Sequence, residues 1–469
     1  MAYTGFVTTL KNVHKHPNAD RLQMGECFGN SVIVSLDYTE GQLGVYFPVD
    51  GQLSERFCQV NDLVRRKDEN GNLAGGYLDP EKRNIKALKL RGEKSDGLFL
   101  PLTCLADFTK ISDLHEGDLI TTLNGEEICR KYIPKRNASS GGGYVRSGNK
   151  AKANFAPTFY EHVDTAQLAY NLHAFKVGDT VELTLKMHGT SGRTGYLPLH
   201  HMKRSWLDKL LRRPGKDIAE YGYVTGTRRV VLDDKHDGGF YDDNNFRKEM
   251  AKKFEGKLRK NETCYYEIVG FVNENTPIMA SVKNSKIKDK EFTKQYGEET
   301  VFSYGCDPNG EYNPLPMVNA STGETYFAKP KCEVYVYRMT MVNDDGDVIE
   351  YSPDQMRLRC EQMGIKTVPV FERFIIPEEE PIYHGCTITM PTYAGDYVLR
   401  KVEEYFDGPD PVGLTHIREG VVARIVNRSD FAVYKHKNFS FKVLEGIAKD
   451  EATEPDLEES QEEEATAQN

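Results

Sequence analysis

The stretch from Val181 to Tyr196 reads VELTLKMHGTSGRTGY. Val181, Leu183 and Leu185 alternate with Glu182, Thr184 and Lys186, the two-residue period of a strand with one face in a core. The strand ends on a lysine and runs at once into a turn containing Gly189. A lysine at a strand end is ordinarily a solvated side chain, because lysine is seldom buried. The other reading is a lysine held there to act on a ligand, and the rest of the chain has to decide between the two.

The chain has 469 residues, 39% of them hydrophobic, enough for two or three cores and at least two domains. No apolar run is long enough to cross a bilayer, and the first twenty residues lack the pattern of a secretion signal, so a cytoplasmic protein with no membrane partner is expected. Nine cysteines without a CxxC pair argue against a disulfide framework or a zinc ribbon. The net charge of −10 resides mostly in residues 450–469, DEATEPDLEESQEEEATAQN, which hold nine acidic side chains and no basic one. Without them 62 acidic residues face 61 basic ones, so the body of the protein is compatible with a nucleic-acid partner. The tail itself, poor in apolar residues, is expected to be disordered.

Residues 1–134 are predicted to be all-β. The runs RLQMGECFGNSVIVSLDY, QLGVYFPVDG and ALKLRGEKSDGLFLPL are short strands separated by turn residues, the spacing of a small barrel. Residues 135–153, KRNASSGGGYVRSGNKAKA, read as a linker. From 154 to 449 strands mix with helices, giving an α+β class. In NNFRKEMAKKFEGKLRK, Phe246, Met250, Phe254 and Leu258 recur at every fourth position, which predicts a helix. The segment 200–217, HHMKRSWLDKLLRRPGKD, carries six Lys or Arg against two Asp. Trp206 there either packs with Leu207, Leu210 and Leu211 or belongs to a basic insertion that meets a phosphate backbone.

Further segments carry charged or aromatic residues inside strand-like runs. CYYEIVGF holds Glu267, CEVYVYRMT holds Tyr335 and Tyr337 on one expected strand face, THIREGVVARI holds Glu419, and FAVYKHKNFSFK sets Lys435 and Lys437 two apart. Singly each is a weak signal. In order, with Lys186 and an arginine in VTGTRRVVL, they resemble the motif set of the covalent nucleotidyltransferases, over roughly residues 181–443. Within that superfamily the chain is most similar to ATP-dependent RNA ligases of the second phage type and the amoebal class. His188 in KMHGTS, the VYVYRM strand and the YKHKN run carry that likeness. KHPNADRL (15–22) and LKLRGEKSDGLFLP (88–101) resemble the tRNA-binding type of OB-fold, a β-barrel that binds nucleic acid.

The resemblance implies an N-terminal OB-fold followed by a nucleotidyltransferase domain of antiparallel sheets with flanking helices. It implies an RNA-repair ligase that joins 3′-hydroxyl to 5′-phosphate RNA ends, acts as a monomer, and uses ATP with Mg²⁺ or Mn²⁺. Lys186 would be the nucleophile, Lys435 and Lys437 would hold the α-phosphate, and Tyr337 would stack on adenine. Glu267 would accept from a ribose hydroxyl, and Glu419, with Glu267, would hold the metal. Arg228, with Arg229 as the alternative, would contact ribose or the nick, and His188, Arg228 and Arg338 would face RNA. Arg338 departs from the phage pattern, which has aspartate there. The competing readings are a catalytically inactive RNA-binding protein and an mRNA-capping guanylyltransferase.

Overall fold

The computed structural model describes residues 3–67, 73–133, 156–163, 165–203, 206, 215–228, 231–232, 246–273, 276–304, 315–378 and 393–451. They fall into two compact units. The first draws on Met1–Lys135, Asn284–Lys290 and Asn438–Ala452, and the second on Arg136–Lys283, Glu291–Lys437 and Thr453–Asn469. The expected linker 135–153 and most of the basic segment 200–217 lie outside the described residues, as does the acidic tail beyond Glu451. Trp206 is 71% exposed, and Leu207, Leu210 and Leu211, with which it was expected to pack, lie outside the described residues.

The first unit is built from short antiparallel strands. Gly5–Thr9 lies between Leu43–Phe47 and Leu119–Ile120, with Leu98–Pro101 on the far side of Leu43–Phe47. Lys11–Lys15, Leu22–Cys27 and Asn30–Ser35 form a separate three-stranded sheet. Among the described residues these sheets do not join into the one closed barrel expected from sequence. The break has a local cause: Asn12 is left-handed (φ 52°) and the register shifts between Lys11 and His14, so the chain bends from one sheet into the next instead of continuing its pairing. The core joins Val7, Val45, Phe47, Leu53, Phe57, Leu105 and Ile128. His16 of the KHPNADRL run is 1% exposed, with Nε2 on Leu90 O (3.1 Å) and Nδ1 accepting from Asn18 N (3.0 Å), so it ties this loop to the hairpin after Ala87–Leu90.

The end of the chain completes this unit, although the sequence division assigned residues 438–449 to the second. The helix Phe439–Glu451 buries Phe441 and Leu444. The Asn438 side chain accepts from Phe441 N (3.1 Å) at its start, an N-cap. Lys442 pairs with Asp96 at 2.5 Å, and Lys94 lies 5.2 Å over the Phe439 ring. Asp289, in the 284–290 segment, pairs with Lys89.

The second unit is built on two main sheets, with two two-stranded ones, Val282–Lys283 with Glu299–Thr300 and Leu315–Val318 with Thr325–Ala328, beside them among the described residues. One has five strands in the order Ala166–Gln167, Val433–Lys437, Gly420–Ile425, Thr180–Lys186 and Val370–Ile375. The other runs Val231–Leu232, Lys216–Gly226, Thr190–Lys203, Glu262–Asn273, Cys332–Val342 and Val348–Glu350, with Thr276–Pro277 and Lys366–Thr367 beside it. Pro353–Met363 covers the larger sheet through Met356, Cys360 and Met363, and Tyr393–Glu403 covers the smaller through Val398 and Val402. This is an α+β fold dominated by antiparallel pairing. The helix expected from Phe246 onward ends at Ala251, tightens into a 3₁₀ turn over Lys252–Phe254 and stops before Gly256, left-handed at φ 72°. Phe254 and Leu258 are buried all the same.

Because Leu444 is fully buried within the first unit, Leu444→Ala is expected to cost about 2–5 kcal/mol of that unit's stability. Hydrogen exchange should then rise at Leu43–Phe47 and Ala87–Leu90 and hold steady at Glu262–Asn273. A rise confined to the second unit would contradict the placement of the helix.

Candidate active site

Lys186 is the last residue of its strand in the five-stranded sheet, and Thr190 is the first of a strand in the larger sheet. Met187, His188 and Gly189 make the crossing. Gly189 is needed by closeness: a Cβ there would lie 2.4 Å from Ile268 O and 3.1 Å from the Glu267 side chain. The glycine after the lysine is what lets one sheet turn directly onto the other, beside Glu267.

Three strands then bring the charges together. Lys186 pairs with Gly420 in one ladder and Gly420 with Lys437 in the next. Gly420 admits no side chain either, since a Cβ would sit 2.1 Å from His436 O. Glu419, the residue before it, is 2% exposed. Its Oε1 lies 2.7 Å from Lys186 Nζ and 3.2 Å from Lys437 Nζ. Lys435 sits two residues back on the same strand, opposite Val422. Where the sequence surrounds Lys186 with positive charge, the structure also places a buried carboxylate against it.

That carboxylate is held charged. Burial by itself would raise its pKa, but Lys186, Lys437 and His188 together outweigh burial and hold it far below the usual carboxylate range. Among the described residues its other oxygen, Oε2, accepts no hydrogen bond, with His188 Nδ1 at 3.7 Å too far for one. A buried, charged and unsatisfied oxygen fits a hard divalent cation. Among the described residues no three His, Cys, Asp or Glu side chains converge as a ready cage, so water and phosphate would have to complete the coordination shell.

The polar face of the Lys186 strand is not solvated. Glu182 is 3% exposed and accepts paired hydrogen bonds from Arg357 (2.9 and 2.9 Å) and from Arg373 (3.0 and 2.6 Å). This pins the strand to Pro353–Met363 and to its neighbour Val370–Ile375.

The strand Cys332–Val342 departs from the sequence expectation. Tyr265 pairs with Arg338 and Tyr266 with Val336, so Tyr337 is the extra residue of a bulge. Tyr335, opposite Glu267, therefore shares a face with Arg338, and the half-exposed Tyr337 rests against the ring of His162 at 5.0 Å. Arg338, expected to face RNA, is instead 5% exposed. It forms a bidentate ion pair with Glu350 and lies between the rings of Tyr265 (4.6 Å) and Phe431 (4.5 Å). A guanidinium so enclosed braces the sheet.

Several supporting residues went unread in the sequence. Arg193, 2% exposed, donates to Thr227 O (3.0 Å) and Phe159 O (3.1 Å) and stacks on Phe159. It fixes the backbone next to Arg228 and the approach to His162. Asp410, 1% exposed, organises the loop that delivers Glu419: Oδ1 accepts from Val412 N and Gly413 N, both at 2.8 Å, and Oδ2 from Tyr304 Oη at 2.8 Å. The Asp-Pro-Val-Gly run is a turn signature that could have revealed Asp410. Nothing local marks Arg193 or Tyr304.

The depressed Glu419 pKa has a consequence for stability. The pairing contributes fully above the unfolded-state value, near 4.5, and is lost as pH falls from there toward the lower folded-state value. Glu419→Gln removes this titration. Wild type and variant should therefore differ most in denaturant stability near pH 7 and converge below about pH 4. A difference that widens in acid would reverse the assignment.

No family model matches the chain, and no curated protein matches it at a significant level. Solved structures do match. A mutant of Naegleria gruberi RNA ligase with ATP and Mn is 14% identical, with 96% of this chain and 99% of that chain covered and a TM-score of 0.52. The same ligase with pyrophosphate is 15% identical, with coverage of 93% and 97% and a TM-score of 0.52. An apo mutant of it is 15% identical, with coverage of 94% and 97% and a TM-score of 0.53. Nearly the whole chain thus has the fold of an ATP-dependent RNA ligase.

Proposed function

We propose that this chain is an ATP-dependent RNA ligase that seals a 3′-hydroxyl to a 5′-phosphate through lysyl-AMP and RNA-adenylate intermediates. The observation that carries it is the convergence of Lys186 and Lys437 on one buried Glu419 oxygen, at 2.7 and 3.2 Å. Burying charge is costly, and an ion pair is weak evidence of added stability. A module that only binds RNA has no use for a lysine held at a chain crossing beside a second lysine and a carboxylate with an open oxygen. The likeness to an RNA ligase whose solved complexes contain ATP, pyrophosphate and Mn supports the same reading.

In this scheme the Lys186 ammonium leaves Glu419 and gives up a proton to solvent, and its neutral Nζ bonds to the α-phosphorus of ATP while the bond to pyrophosphate breaks. Lys437 and Lys435 hold the non-bridging oxygens, where charge accumulates in the transition state. AMP then passes to the RNA 5′-phosphate, and the acceptor 3′-hydroxyl displaces it. A divalent ion held at Glu419 would supply positive charge for the phosphate and compete for the carboxylate that pairs with Lys186. Tyr337 provides the adenine-stacking ring, and Arg228 and Glu267 address the ribose. The first unit is proposed as the OB-type RNA-binding module.

Incubation with α-labelled ATP or GTP and a divalent metal, followed by denaturing electrophoresis, separates the alternatives. ATP labelling is expected. GTP labelling would favour a capping guanylyltransferase, and no labelling an inactive RNA-binding protein. Lys186→Ala should lose ATP-driven ligation and the adduct while retaining sealing of a pre-adenylated strand, because in that step the nucleophile is the RNA hydroxyl. Glu419→Ala should impair both reactions by at least about tenfold, the loss expected when one group stabilising the transition state is removed. Sealing of the pre-adenylated strand at the wild-type rate by Glu419→Ala would remove Glu419 from the phosphate chemistry.

A further inference from the structure

The imidazole of His162 sits where several of the residues proposed for the nucleotide meet. Its ring lies edge-on to Tyr337 at 5.0 Å between centroids, with Tyr265 at 5.6 Å and Phe431 at 5.9 Å around it. Its Nδ1 takes a long hydrogen bond, 3.4 Å, from Nη1 of Arg338. A guanidinium has only donors, so Nδ1 must be the acceptor, and a neutral ring then carries its proton on Nε2. The neutral form is favoured first by burial and then by Arg338, Arg228, Arg193 and Lys435, which together drive the ring well below its ordinary pKa.

Those four cations come from four different strands or strand ends. Arg338 is on Cys332–Val342, Arg228 just follows Lys216–Gly226, Arg193 is on Thr190–Lys203, and Lys435 is on Val433–Lys437. Each offers donors alone, and none can accept from Nε2–H. Among the described residues this donor has no hydrogen-bond partner, and the ring is half-buried, not sealed. A donor that no protein group engages, beside the proposed adenine-stacking ring, is available to an acceptor brought by a ligand in place of water. Phosphate oxygens have better partners in the nearby cations, which leaves the nucleoside.

We infer that His162 donates from Nε2 to the adenosine that stacks on Tyr337, at purine N3 or N7 or the ribose 2′-oxygen; the inference rests on the ATP reading proposed above. It makes His162 a substrate-contacting residue contributed by a segment ahead of every nucleotidyltransferase motif that the sequence singled out.

The test uses the full chain and four competitors against a fluorescent ATP analogue: ATP, 3-deaza-ATP, 7-deaza-ATP and 2′-deoxy-ATP. Each competitor after the first removes one candidate acceptor. Wild type should bind one of the three about three- to tenfold more weakly than ATP, the worth of one neutral hydrogen bond. His162→Phe keeps a ring against Tyr337 but has no donor, and should bind ATP and that analogue alike. His162→Gln, with an amide donor, should restore part of the preference. If His162→Phe weakens ATP and all analogues by one common factor, or wild type discriminates against none, the residue only supports Tyr337 and the inference is wrong. Labelled-ATP adduct formation is scored in parallel on the same samples. A missing adduct with the analogue preference intact would defeat the ligase reading alone, and an adduct with unchanged analogue ratios would defeat only the role of His162.

Discussion

The contact on which the site depends is the burial of one carboxylate between two lysines. Glu419 could not stay charged at 2% exposure without Lys186 and Lys437, and its carboxylate in turn holds both ammonium groups at one oxygen. The arrangement demands backbones close enough to set three side chains side by side, and Gly420 supplies that closeness between the other two strands. The loop before Glu419 is in turn tied to Asp410 and Tyr304, buried too deeply to meet a substrate. A network of buried polar groups thus fixes the geometry of a few exposed atoms.

This resting arrangement also constrains the chemistry. In the scheme proposed above, a lysine paired with a carboxylate is positioned but occupied, and the pair would have to open before Nζ reached a phosphorus. The open oxygen of Glu419 and the second lysine are the two means at hand: a cation engages the carboxylate, and the phosphate engages Lys437. Nucleotide and metal would then release the nucleophile where they are needed, and Lys186 would stay engaged in their absence.

Arg338 and Tyr337 show how a one-residue irregularity redistributes roles. An unbroken strand would put Tyr335 and Tyr337 on one face and Arg338 on the other. The bulge puts Arg338 on the Tyr335 face, where Tyr265, Phe431 and Glu350 enclose it, and leaves Tyr337 half-exposed against His162. The charge that could have met RNA is spent on joining strands. Arg193, bonded to Thr227 O, holds the backbone next to Arg228, the arginine proposed above to contact the ribose.

The sequence by itself determined the strand ending in Lys186, the order of the charged and aromatic residues after it, and the α+β class, because each rests on spacing of two or four residues along the chain. It also marked Lys435 and Lys437 as neighbours on one strand face. Tertiary structure alone decided that Glu419 stands against Lys186, that Arg338 is enclosed, that His162 joins Tyr337, and that Phe439–Glu451 completes the first unit. The physical reason is register and burial across long sequence separations. A bulge in one strand or a buried Asp in a loop changes which groups meet, and no local pattern encodes the partner more than two hundred residues away.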